Sequence, residues 1–343
     1  MLLVTFHGGS SGINNVCVYH KSGLLKTEAA LEAPKHGKLS ELRAMVLVDG
    51  LLYVANGAKS ESTVLVYEVP SSGTSFTYKS TLIEPKRSTN GNFKTSIAHP
   101  FGIAFDGSTC YISNQDTNVV SRVSASDGLG KRCQSGYLTG LFPKGTFLDG
   151  TFVASQVGIL PDVDAVTTVV DHAHGGLGVS FENGKVKNSV RDVAIANGIL
   201  FVCDEPEKVV DMYSLADGSY LGSSDALTES PTHLAINDGG LYVSAGAKLY
   251  WGSVPQSLSS ASLSLQTIAP SPLPQDPVKI GGISFDGVST VYVPYQTGTG
   301  GKNPGGSIYS YNVTQQDRPV LTNGTAIVPS LNDTPEFVLH WSR

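Results

Sequence analysis

The stretch HPFGIAFDGSTCYISNQ (residues 99–115) reads as two short apolar strands hinged on Asp106-Gly107. Asp or Asn followed by Gly supplies the positive backbone φ that a tight hairpin turn requires. The same unit recurs in ELRAMVLVDGLLYVANG (41–57), SVRDVAIANGILFVCDE (189–205), SPTHLAINDGGLYVSAG (230–246) and KIGGISFDGVSTVYVPYQ (279–296). A further copy is FPKGTFLDGTFVASQ (142–156), whose P-x-G-x-x-x-D-G spacing matches Pro100 to Gly107. After each copy comes more β-rich sequence, such as TVLVYEV and TSFTYKSTLI within 63–83. Four antiparallel strands per repeat define the blades of a β-propeller.

Positions equivalent to Gly102 recur at intervals of about 41–58 residues, near the blade period of roughly 40–50 residues with loop insertions. Counting every copy predicts an all-β, seven-bladed propeller. The alternative is six blades with a hairpin insertion around 141–185. TPEFVLHW (334–341) reads as a first strand, and residues 2–31 as the second, third and fourth strands of the same blade. Such a blade closes the ring without leaving a free sheet edge. The expected organisation is one propeller domain over 1–343.

Composition agrees. Charged residues are only 15%, against about 25% in an average domain. The 38 glycines suit a turn-rich chain. With 23 basic and 29 acidic residues the net charge is −6, which argues against a nucleic-acid partner. No apolar run reaches the roughly 18–20 residues of a membrane span. Cys17, Cys110, Cys133 and Cys203 stand singly in strand-like runs and are expected to be free and buried. Three sequons, at Asn312, Asn323 and Asn332, tilt the expected location slightly toward secretion over the cytoplasm. The expected state is a monomer.

GILFVCDEPEKVVDMYSLADGSYLG (198–222) resembles the NHL repeat: a strand ending in Asp, a turn, a V-x-x-Y strand, then D-G-x-x-L. HPFGIAFDG and YISNQDTNVVSRV (111–123) have the same look. The resemblance implies propeller architecture, on which lactonases, lyases, sugar binders and scaffolds are all built. Calcium-dependent lactonases of similar folds need a Glu, an Asn and an Asp on the axis. This chain has Phe101, Lys144, Arg191 and Thr232 at the corresponding repeat position, so that ligand set does not carry over. Neither a metal nor a cofactor is expected.

The repeat itself predicts which residues meet at the mouth of the channel. The position of Phe101 is filled by Arg43, Phe101, Lys144, Arg191, Thr232, Gly281 and Glu336. That of Asn114 is filled by His7, Asn56, Asn114, Ser155, Asp204, Ala245 and Tyr295. Three cations on one ring of an acidic protein favour an anionic ligand such as a carboxylate, which Arg binds bidentately. The expected function is a metal-independent enzyme acting on a sugar acid, by β-elimination as in a polysaccharide lyase. In that reading His7 or Tyr295 is the base and Arg191 stabilises the developing enolate. Arg43, Asn56, Phe101, Asn114, Lys144, Asp204, Thr232 and Glu336 would bind substrate. A carbohydrate or small-anion binder without turnover is the alternative, and a protein-interaction scaffold a second one. A bland reading makes Arg43, Arg191 and Glu336 a salt-bridge plug. Two sharper motifs fail: Gly8–Gly12 matches G-x-S-x-G but lacks the following helix, and His172-Ala173-His174 lacks a third metal ligand.

Overall fold

The computed structural model describes residues 1–8, 12–58, 62–83, 97, 99–115, 119–125, 137–139, 180–182, 185–187, 190–216, 218–260, 262–274, 277–297, 304–314 and 318–342. Among them the chain is a β-propeller of six blades built on four antiparallel strands each. The first blade runs Leu42–Val48, Leu51–Asn56, Thr63–Glu68 and Thr77–Ile83. The second begins with Pro100–Asp106, the third with Val190–Ala196, the fourth with Pro231–Asn237. In the fifth the innermost strand is split into Lys279–Ile280 and Ser284–Phe285. The sixth joins Pro335–His340 to Leu2–Phe6, with Leu2 opposite His340 and Val4 opposite Val338.

The turns obey their sequence. Asp49-Gly50, Asn197-Gly198 and Asp238-Gly239 all have φ between 47° and 75°, the paired positive values of a two-residue hairpin turn. Alternate side chains of each strand then point into the gap on either side of the blade. Six clusters of buried apolar residues fill those gaps.

This corrects the expected count of seven. One cluster joins the second and third blades directly, with Ala104, Tyr111 and Val120 against Val193, Val202 and Tyr213. Strand Pro100–Asp106 packs on Val190–Ala196, and a Cβ added to Gly102 would lie 2.3 Å from Asp192 Oδ1. No room remains between these blades for a seventh. A two-stranded hairpin, Ser180–Glu182 with Lys185–Lys187, precedes the third blade. The copy at 142–156, with Lys144 and Ser155, lies outside the described residues, as do Cys133 and His172–His174. Cys17, Cys110 and Cys203 are free and buried.

Candidate active site

Every innermost strand carries one extra residue at the same point. Leu42 pairs with Asn56 and Met45 with Val54, so Arg43 and Ala44 together oppose one residue. The same shift falls at Phe101-Gly102, Arg191-Asp192 and Thr232. It recurs across Gly281–Ile283, and at Glu336, which lies between the partners of Phe6 and Thr5. A β-bulge bends its strand and re-aims a side chain. Repeated around the axis, it turns Arg43, Phe101, Arg191, Thr232 and Glu336 toward a common funnel of about 410 Å³, while the fifth blade has Gly281 at that place.

Phe101 and His233 form the funnel floor and rest on Phe337 in the core behind them. The Phe101 ring lies 5.4 Å from His233 and 5.7 Å from Phe337, and His233 packs edge-on against Phe337 at 4.5 Å. Gly282 makes room for it: a Cβ there would come within 2.2 Å of the Phe337 ring. The Arg191 guanidinium sits 5.2 Å from the Phe101 centroid, within cation–π range.

Above the floor, Arg43 joins two carboxylates. Its Nη1 lies 3.3 Å from Glu336 Oε1, and its Nη2 lies 3.3 Å from Glu41 Oε2. Each carboxylate faces an imidazole. His7 Nδ1 donates to Glu336 Oε1 at 2.9 Å, and His99 Nε2 stands 3.8 Å from Glu41 Oε2. Burial alone would raise the Glu336 carboxyl, but Arg43 and the bond from His7 prevail and hold it well below the usual range. Glu336 is therefore ionised and can only accept, so in the bond between them His7 carries its proton on Nδ1 and leaves Nε2 for chemistry; Arg43 Nη1 stands 3.3 Å from the same nitrogen. His7 is the accessible member, with 35% of its side chain exposed. His233 differs: burial pushes its imidazole down to about 3, Glu336 opposing and Arg191, Lys279 and Arg43 reinforcing the shift. Among the described residues, Arg43 Nε, His233 Nε2 and Thr334 Oγ1 are buried at this cavity without a hydrogen-bond partner. Polar atoms buried in that way are normally satisfied by water or ligand.

Of the expected site residues, His7, Arg43, Phe101, Arg191, Thr232 and Glu336 line the funnel. Four do not. Asn56 ends the strand Leu51–Asn56 and is buried against the loop that precedes its blade, accepting from Ser40 N at 2.8 Å and donating to Lys38 O at 2.9 Å. Asn114 bonds Ile112 O and Ser121 Oγ within its own blade. Asp204 is fully buried, accepts from Glu207 N, and shares a hydrogen bond with Asp211. Tyr295 is fully buried too, its hydroxyl 2.9 Å from that of Tyr311. Burial first, and then the Tyr311 contact, push that phenol far above its ordinary value, so it is no base at neutral pH. In these four blades the side chain at the end of the second strand turns away from the funnel, whereas His7, at the same repeat position, and Gln296, which ends Thr290–Gln296, line it.

Of the three cations expected on the ring, two are described and both are paired; Lys144 lies outside the described residues. Arg191 is bidentate to Glu205, with Nε–Oε2 at 2.9 Å and Nη2–Oε1 at 3.2 Å, and Arg43 is held by Glu41 and Glu336. Among the described residues Lys279 is the funnel cation without a carboxylate partner. The Arg43–Glu336 ion pair of the salt-bridge reading does form, and among the described residues a cavity of about 410 Å³ remains beside it.

Glu41, His99, Lys279 and Thr334 also line the funnel, and the sequence reading missed them. A signal existed: each lies two residues before a bulge position (Arg43, Phe101, Gly281, Glu336), and strand alternation brings such residues to one face. Among the described residues, no group of three or more His, Cys, Asp or Glu is arranged to hold a metal ion.

No family model matches the chain, and no curated protein does. Solved structures do. A protein from Lactobacillus plantarum superposes with a TM-score of 0.54 at 11% identity, over 95% of this chain and 81% of that one. A candidate 6-phosphogluconolactonase from Bacteroides fragilis gives 0.53 at 11%, over 95% and 81%. A chain of the nidogen/laminin complex gives 0.53 at 12%, over 98% and 97%. At such identities the likeness shows the fold alone. The protein is a β-propeller, with an axial funnel that gathers acidic, basic and imidazole side chains.

Proposed function

We propose that this protein is a metal-independent acid–base enzyme that acts on a small sugar acid or its cyclic ester. The observation carrying the proposal is the His7–Glu336 pair: a half-buried imidazole that reaches the funnel, oriented by a buried, ionised carboxylate that Arg43 neutralises. A carboxylate behind a histidine holds the tautomer and stabilises the imidazolium formed when Nε2 accepts a proton. Arg43 stands between the two carboxylates nearest the axis and makes them poor ligands for a second cation.

The funnel volume suits a monosaccharide-sized ligand better than a polymer chain. The candidate 6-phosphogluconolactonase neighbour supports ester-ring opening, in which His7 would deprotonate an attacking water. Elimination from a uronate is the second reading, favoured by Lys279, which would pair the carboxylate beside the proton abstracted. The NHL-type kinship of the blades rests on the sequence pattern of 198–222 and 111–123.

The test is a panel of sugar lactones followed by acid release, with polyuronides and uronate disaccharides followed by absorbance of the unsaturated product. His7→Gln is expected to lower kcat by roughly 10²–10⁴-fold. Wild-type turnover in the variant overturns the assignment. Binding of sugar acids by a wild type inert toward every substrate would make the protein a binder.

A further inference from the structure

Glu41 and His99 occupy equivalent places in two neighbouring blades, two residues before Arg43 and Phe101. Both are held at left-handed backbone angles, φ 52° and 53°. That region is uncommon for residues other than Gly, Asn, Asp and His, and it persists only where the surroundings impose it. The surroundings are the same in both blades. Glu41 N donates to Asn14 Oδ1 at 3.0 Å, and His99 N donates to Ser62 Oγ at 2.9 Å; each acceptor comes from the preceding blade. The carbonyls accept equally, Glu41 O from Gly57 N and His99 O from Gln115 N, both at 3.0 Å. A device built twice delivers two side chains to the same funnel wall.

Those side chains complete a chain of groups from His99 to Glu41, Arg43, Glu336 and His7, with successive separations of 3.8, 3.3, 3.3 and 2.9 Å. Three imidazoles thus line one cavity: His233, buried with Nε2 4.0 Å from Glu336 Oε2, forms part of its floor, while His7 and His99 each stand beside a different carboxylate, and one buried guanidinium holds both carboxylates. Ester-ring opening needs such a pair, a base at the attacking water and an acid at the departing oxygen.

We infer that His99 is the proton donor to the leaving oxygen of the substrate, with Glu41 as its positioning residue. The inference rests on the acid–base reading proposed above. In ring opening, His7 Nε2 takes a proton from water as the new C–O bond forms at the acyl carbon. The ring C–O bond breaks, and its electron pair stays on the departing alkoxide. That alkoxide takes the proton from protonated His99. Solvent then removes the proton from His7 and returns one to His99, so no other reactant is consumed.

The experiment compares a sugar lactone with the thiolactone of the same acid, whose thiolate departs without needing a proton. His99→Gln is expected to slow the lactone by roughly 10²-fold or more and leave the thiolactone nearly untouched, whereas His7→Gln slows both. Glu41→Gln should give a weaker version of the His99→Gln pattern, with thermal melting reporting that both variants fold. Equal slowing of the two substrates by His99→Gln, or no slowing of either, overturns the inference while His7 keeps its role. A wild type inert on every ester overturns the ring-opening reading and this inference together.

Discussion

Arg43 Nη1 lies 3.3 Å from Glu336 Oε1, although these residues come from opposite ends of the chain. The pair straddles the seam where the propeller closes, since Glu336 sits in the strand that pairs with Leu2–Phe6. Ring closure and assembly of the funnel are therefore one event. Arg43→Met would leave Glu336 buried without its cation, and breaking a buried pair in that way costs about 3–5 kcal/mol. Urea denaturation of wild type and variant measures this loss. An unchanged midpoint would show that the pair is not structural.

Acid should act through the same carboxylate. Because Glu336 is held ionised, the folded protein binds fewer protons there than the unfolded chain. Its contribution is whole above the ordinary value of 4.5 and is lost as the pH falls below it. Wild type should lose stability relative to Glu336→Gln below that pH, and the two curves should run parallel above it. Thermal melts across the acid range decide this.

The opposite sign is expected for Asp211. Burial pushes its carboxyl up to about 7, against hydrogen bonds from Ser223, Asp204 and Tyr213. The folded protein keeps a proton that the unfolded chain has released, so the contribution is whole below 3.8 and declines as the pH rises through about 7. Asp211→Asn should remove that decline, and its stability relative to wild type should climb between those values. A constant difference between the two proteins would contradict the assignment.

Asn56→Ala and Asn114→Ala should lower stability by about 1–3 kcal/mol each, because they strip partners from buried polar groups. Turnover should stay at the wild-type level, since neither side chain lines the funnel. A drop in kcat at full folding would restore them to the site.

Gly282→Ala places a methyl group within 2.2 Å of the Phe337 ring. Overpacking of this kind costs about 1–3 kcal/mol. Moving Phe337 also disturbs His233, which packs on it at 4.5 Å, so KM should rise as the floor shifts. A variant as stable as wild type would mean that the floor yields freely.

The repeat of 99–115 was legible because a hairpin is a local object. Alternating apolar residues and an Asp-Gly or Asn-Gly turn suffice to specify it, and Arg43, Phe101, Arg191, Thr232 and Glu336 followed from aligning its copies. Glu41 and His99 were within reach of the same alternation. Asn56, Asn114, Asp204 and Tyr295 were misplaced because spacing does not show which partners a strand-end side chain finds: His7, at the same repeat position, reaches the funnel, while these four find partners elsewhere.

What the sequence determined by itself was the blade, its turns and the strand that leads to the axis, all set by contacts between residues close along the chain. The number of blades was decided by tertiary structure, because it depends on whether Gly102 can approach Asp192 closely enough to exclude another sheet. The charge of the funnel was decided there too. Arg43 meets Glu41 and Glu336, and Arg191 meets Glu205, only after six blades have closed the ring. Electrostatic pairing depends on distance in space, so Arg43 and Arg191, which read as free cations along the sequence, are neutralised by carboxylates the fold brings within about 3 Å.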